Sequence, residues 1–183
     1  MDELMDIPLD AAELKGAGPR VFAASPACVC NPLKKRHYPK DCPEFAQTAG
    51  PSAGAGLGMP NGGLQVVIPS QGTYDKILEH LSSSATSEYD FADQSLLGDV
   101  FNSRWVPLPY TYNALKTLRW KGVHDAIWRD ENVKNVHYIL SPKPWDEKTD
   151  VQDQHQDPSH AWWKSLNEER LAEEQQRGIS DGF

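Results

Sequence analysis

An α/β fold is what this sequence predicts, and three observations predict it. Gly63-Leu64-Gln65-Val66-Val67-Ile68 is a mostly apolar run closed by Pro69, which suits a buried strand of a parallel or mixed sheet. Immediately after it, Tyr74, Ile77, Leu78 and Leu81 recur at the spacing of one helical face, with that face directed at the sheet. Strand and helix signals then alternate: Leu96, Leu97, Val100 and Phe101 mark a second helix, and residues 133–140 a last strand.

The chain has 183 residues, enough for one domain with a core, and 39% hydrophobic against 24% charged residues places it on the polar side of globular composition. A formal charge of −8 and a pI near 5.2 argue against nucleic acid and against anionic membranes, both of which need a cationic surface. The only basic cluster, Lys34-Lys35-Arg36-His37, reads as a solvated loop. No apolar run approaches the length of a membrane span and no signal peptide is recognisable. Three cysteines make no disulfide framework and fit a reducing, cytoplasmic setting. Cys28, Cys30 and Cys42 with His37 offer a zinc alternative, although a single residue between Cys28 and Cys30 is tight for a structural zinc site.

The elements follow in order. Residues 1–24 read as a helical turn, a Gly-Ala-Gly-Pro loop and a small strand at Arg20-Val21-Phe22-Ala23-Ala24, and residues 25–60 as a loop-rich insertion without periodicity. Ser70 is placed to cap the first helix and Asp90 the second. Trp105-Val106-Pro107-Leu108-Pro109-Tyr110 is extended, because its two prolines exclude helix. Residues 112–120 read as helical, and Pro142 and Pro144 lock a turn after the last strand. From 147 to 183 the chain is acidic. There Asp157-Pro158 supplies an N-cap and first position for a helix whose Trp162, Trp163 and Leu166 form one apolar patch, expected to dock on its own domain.

Three blocks could carry chemistry. In Pro60-Asn61-Gly62-Gly63 two glycines let backbone approach a ligand and the Asn61 amide offers donor and acceptor, although a turn before a strand explains the block equally. In Asp90-Phe91-Ala92-Asp93-Gln94 two carboxylates and an amide at a helix start could bind sugar hydroxyls. Capping by Asp90 with Asp93 in the first turn is the simpler reading on spacing alone. The stretch from His137 to Trp145 presents a neutral nitrogen suited to a divalent metal (His137) and a fixed positive charge suited to a phosphate (Lys143). A core histidine and a surface lysine would fit as well.

In their collinear order these blocks resemble glycosyltransferase family 8, the glycogenin-like and galactinol-synthase-like enzymes, over roughly residues 1–146. The resemblance implies a partial Rossmann-like GT-A nucleotide-diphospho-sugar transferase fold. Asn61 with Gly62 and Gly63 would then lie on the donor side, and Asp90, Asp93 and Gln94 around the transferred sugar, Asp93 closest to the chemistry. His137 would ligate a divalent metal, usually Mn2+, and Lys143 would meet the diphosphate with Trp145 beside it. Leu108-Pro109-Tyr110-Thr111-Tyr112-Asn113 is similar to a further family element, with Tyr112 and Asn113 as candidate contacts, while Leu140 stands where the family has a glycine.

The resemblance further implies a retaining, metal-dependent transfer of a hexose from a UDP-sugar, glucose or galactose, to an unknown acceptor: glycan, protein or polyol. The family's Asp-x-Asp occurs nowhere in this sequence, and Met1-Asp2-Glu3-Leu4 is similar to the segment that follows it. The expectation is therefore a truncated chain lacking the N-terminal nucleotide-binding strands. Its metal site would be incomplete, and the polypeptide alone would show little transferase activity and marginal stability. The alternative reading is a non-catalytic remnant that binds a protein partner through its tryptophan-bearing tail.

Overall fold

The computed structural model describes residues 2–7, 9, 20–27, 59–102, 104–146 and 157–180. The Cys28, Cys30 and Cys42 zinc reading and most of the 25–60 insertion lie outside these residues.

Strand β1 (Phe22–Pro26) is the centre of the first half. It pairs antiparallel with β2 (Pro60–Val67) and parallel with β3 (Trp105–Pro107), giving a mixed three-stranded sheet in the order β2-β1-β3. Because side chains alternate across a strand, Phe22 and Ala24 enter a cluster with Phe101 and Trp105, while Ala23 joins Leu4, Leu9 and Leu108. The β1–β2 register is broken once. Between the Ala24–Gln65 and Pro26–Pro60 pairs, Ser25 alone faces Asn61, Gly62, Gly63 and Leu64. That bulge throws the two glycines out of the ladder, the usual way a strand aims backbone at a site.

β2 corrects the expectation of a buried strand. It sits at the sheet edge, and its last residues are open, Val67 at 54% and Ile68 at 57% exposure. Helix α1 (Gln71–Leu81) starts where predicted, with Ser70 Oγ accepting from the Thr73 N–H at 3.4 Å. Its apolar face lies on the sheet only in part. Ile77 packs against the Phe22 cluster, whereas Tyr74, Leu78 and Leu81 are exposed.

Helix α2 (Ala92–Val100) corrects a second expectation, because Asp90 does not cap it. The cap position is Phe91, whose N–H donates to Ser95 Oγ at 3.2 Å, and Asp90 is exposed. A φ of 42° at Ala92 swings the chain just before Asp93, so the carboxylate one turn earlier cannot reach the helix start.

Residues 112–120 are not one helix. Two short 3-10 turns, Tyr110–Tyr112 and Lys116–Arg119, flank strand β4 (Ala114–Leu115). The extended break lets Tyr110, Ala114, Leu115 and Leu118 all reach one cluster with Trp128. The last strand is likewise shorter than predicted. β5 (Val136–His137) pairs parallel with β4 and ends as Leu140 turns to a φ of 64°.

The tail helix α3 (His160–Gln176) begins two residues beyond the predicted first position. Asp157 still serves its start: Oδ1 accepts from the Ser159 N–H at 2.9 Å and from Ser159 Oγ at 2.7 Å. Trp162 packs on the Tyr110 cluster and Trp163 meets Trp145, so both indoles dock within the chain, whereas Leu166 stays exposed. Among the described residues no helix is long and apolar enough to cross a membrane.

Candidate functional site

The β1–β2 bulge, the start of α2 and the end of β5 meet at one cavity of about 390 Å³. Asn61, Gly62, Gly63, Asp93, Gln94 and His137 line it, with Phe91, Ile139, Met59 and Ala27 as apolar wall. Six of the nine residues expected around the sugar, diphosphate and metal thus share a single cleft. The other three, Asp90, Lys143 and Trp145, are not in its lining.

Close packing requires glycine at both positions of the bulge. A Cβ on Gly62 would stand 2.3 Å from Asp93 Oδ2, and one on Gly63 would stand 2.4 Å from the His137 ring. Both positions are closer than side chains pack, so the carboxylate and the imidazole rest directly against bare backbone. The Gly62 N–H donates to Gln94 Oε1 at 3.0 Å, which ties the bulge to α2 and leaves the Gln94 amide N–H2 as donor.

Asn61 lines the cavity with its amide oxygen already engaged. It is buried, and its Oδ1 accepts from the Gly63 N–H and from Asn113 Nδ2, both at 2.8 Å. It holds the glycine bulge in shape. Asn113 lies behind the bulge, while the Tyr112 hydroxyl points elsewhere, donating to Glu3 Oε2 at 2.8 Å.

His137 is half-buried, and burial, helped by the nearby Lys143 charge, pushes its pKa below the ordinary histidine value. The ring is therefore neutral at pH 7. Its Nδ1 is buried with no hydrogen-bond partner among the described residues. A neutral imidazole with an unpartnered nitrogen suits a divalent ion as one ligand. However, no group of three or more His, Cys, Asp or Glu gathers to hold a metal among the described residues. These residues fit one ligand of such a site, not the set.

The turn after β5 carries the remaining candidates. Lys143 Nζ donates to the Tyr138 carbonyl, which folds the lysine back over its own turn. Trp145 is largely exposed, its ring edge-on to Tyr138 and tilted against Trp163 at 5.8 Å. Phe91 and Ile139 were missed as cavity wall. The available signal was their position inside the two chemical blocks, one residue and two residues from Asp90 and His137.

Chemically, the cleft offers a carboxylate acceptor, an amide donor and a neutral imidazole, with the Lys143 ammonium outside its lining. That set can bind several hydroxyls of a polyol ring at once.

The chain matches glycosyl transferase family 8 over residues 37–149. It belongs to that family. Galactinol synthase 2 of Solanum lycopersicum is 31% identical over 134 residues, 68% of this chain and 38% of the relative. Galactinol synthase 4 of Arabidopsis thaliana is 31% identical over 116 residues, 61% and 34% of the two chains. Glycogenin-1 of Caenorhabditis elegans is 33% identical over 102 residues, 51% and 23%. The chain thus spans less than two fifths of the length of these curated relatives. No solved structure matches it significantly. The match contains all three chemical blocks of the family 8 chain and stops short of α3.

Proposed function

We propose that this chain forms the sugar-and-diphosphate end of a donor site in a retaining, metal-dependent hexosyltransferase that uses a UDP-sugar, glucose or galactose. Residues 1–146 form the family portion in this reading and 147–183 an acidic addition, in a cytoplasmic protein. One observation carries it: the Asp93–Gln94 pair, the Gly62–Gly63 bulge and His137, distant in sequence, line the same cavity.

Asp93 would accept from hydroxyls of the transferred sugar and the Gln94 amide would donate to them, fixing the ring before reaction. The bare backbone at Gly62 and Gly63 would let Asp93 and His137 sit deeper than a side chain permits, which leaves the cavity itself to the ring. Lys143 would leave the Tyr138 carbonyl to meet the leaving diphosphate, whose developing charge is the main electrostatic demand of such a transfer. A divalent metal, Mn2+ in this reading, supplies further charge neutralisation when bound, and His137 would contribute one ligand to it.

The glycosyl acceptor is a glycan, a protein or a polyol in this reading. Galactinol synthases and a glycogenin among the relatives are consistent with that range.

Calorimetric titration of UDP-glucose and UDP-galactose, with and without Mn2+, tests the reading. Wild type should bind one of them in preference to free UDP. Asp93→Asn should weaken the sugar-dependent part by at least about tenfold, the scale of a lost charged hydrogen bond. Equal affinity of wild type and variant for both donors and for UDP would remove Asp93 from the sugar site.

A further inference from the structure

Helix α3 lies beyond the family match, yet it touches the turn after His137 at several points. The contact begins with a side chain that the surroundings do not explain. Lys116 is 2% exposed and stands between Leu115 and Leu118 of an apolar cluster, where a hydrophobic residue would pack without desolvating a charge. Its ammonium instead spans two elements. Nζ donates to the Pro142 carbonyl at 2.5 Å, in the turn, and lies 3.2 Å from Nε2 of His160, the first residue of α3.

Two more links run in parallel. The Tyr138 hydroxyl donates to the Ser159 carbonyl at 3.0 Å, and the Tyr138 ring stands edge-on to His160 at 5.7 Å. On the far side of Lys143, Trp145 meets Trp163 with ring centroids 5.8 Å apart. The start of α3 is itself pinned, because Asp157 Oδ2 accepts from Trp120 Nε1 at 2.7 Å. Contacts to α3 thus bracket Lys143 on both sides, and Lys143 is folded onto the carbonyl of Tyr138, one of the bracketed residues.

We propose that the first turn of α3, joined to the turn through Lys116, is the clamp that positions His137 and Lys143 for the donor diphosphate. Lys116, Tyr138 and His160 are positioning residues that touch no donor themselves. The functional part of this inference rests on the donor-site reading above; the clamp itself does not. The acidic tail is then a working part of the site.

The test uses the full chain. Lys116→Met keeps the stem and removes the ammonium, and Tyr138→Phe removes a single hydroxyl. Hydrogen–deuterium exchange is followed for residues 136–146 and, as internal control, for residues 71–81 of α1. The clamp predicts that Lys116→Met speeds exchange of 136–146 by about tenfold while 71–81 stays within about twofold, a local rather than global opening. Tyr138→Phe should give a smaller change in the same segment. UDP-glucose affinity should weaken in parallel with the exchange.

Unchanged exchange at 136–146 in folded variants, or equal acceleration in both segments, overturns the clamp. If Lys116→Met does not fold, the Tyr138→Phe comparison decides the matter by the same two criteria. Failure of wild type to bind any UDP-sugar sinks the donor-site reading, while the exchange data still decide whether the clamp exists.

Discussion

Two depressions on this molecule differ in almost every respect. The larger, about 510 Å³, lies over the β2–α1 face and is lined by Val21, Phe22, Val67, Tyr74, Ile77, Leu97 and neighbours, with no carboxylate, imidazole or ammonium in its wall among the described residues. The smaller, about 390 Å³, has a carboxylate, an amide, an imidazole and two glycines converging on it. Size and apolarity single out the first, while chemistry singles out the second. The difference teaches that in this fold the site is recognised by side chains pressed against bare backbone. The apolar groove follows from β2 ending at the sheet edge with Val67 and Ile68 uncovered.

Substitutions can break or sharpen that contrast. The largest effect is expected at Gly63→Ala. The new methyl would meet the His137 ring at 2.4 Å, and the ring must swing out of the cleft. Disturbing the contacts that orient a metal-ligating histidine costs about 10–100-fold in metal affinity, so Mn2+-dependent UDP-sugar affinity should fall by about that much. Stability should drop by about 1–3 kcal/mol from overpacking, read as a denaturant midpoint. Gly62→Ala is milder for stability, because it meets the tip of the exposed Asp93 side chain, which can turn aside.

Leu140→Gly should go the other way. Leu140 holds a φ of 64°, a conformation that is strained by roughly 1–2 kcal/mol for a residue with a Cβ. Thermal unfolding of the variant should show a gain of about 1 kcal/mol or less, since glycine loses more entropy on folding.

The joint between α3 and the core should show an acid limit. Burial alone would raise the Asp157 pKa, but the Ser159 and Trp120 hydrogen bonds and the His160 charge outweigh it and hold it below the usual carboxylate value. A folded pKa below the unfolded one means this contribution is complete above the unfolded value near 4 and is lost as pH falls through the folded value. Urea midpoints measured from pH 6 down to pH 2 should therefore fall less steeply in Asp157→Asn than in wild type.

The smallest effect belongs to the other depression. Tyr74→Ser, on the exposed part of the apolar groove, should leave donor affinity within about twofold and stability within about 0.5 kcal/mol.

How much of this was legible in sequence depends on how local the cause was. Ser70 announced the start of α1 because a cap is decided within four residues. The three chemical blocks were visible as residue types, and their order pointed to the family. What escaped was set by tertiary context. Asp90 has the right type and place for a cap, but the backbone turn at Ala92 gives that position to Phe91. Asn61 was legible as a donor and acceptor, but not that its carbonyl is taken by Gly63 and by Asn113, a partner far along the chain. Residues 112–120 read as helical, but filling one cluster from both sides of β4 required an extended break. Lys116 gave no signal, because a lysine beside leucines reads as solvent-facing until Pro142 and His160 are seen around its ammonium.

The most direct test of the central claim is an amide-resolved NMR titration of the chain with UDP-glucose and Mn2+. Shifts should concentrate at Gly62, Gly63, Gln94 and the backbone around His137, with residues 71–81 silent. Shifts confined to the β2–α1 groove, or saturating binding that leaves Gly62 and Gly63 unmoved, would contradict it.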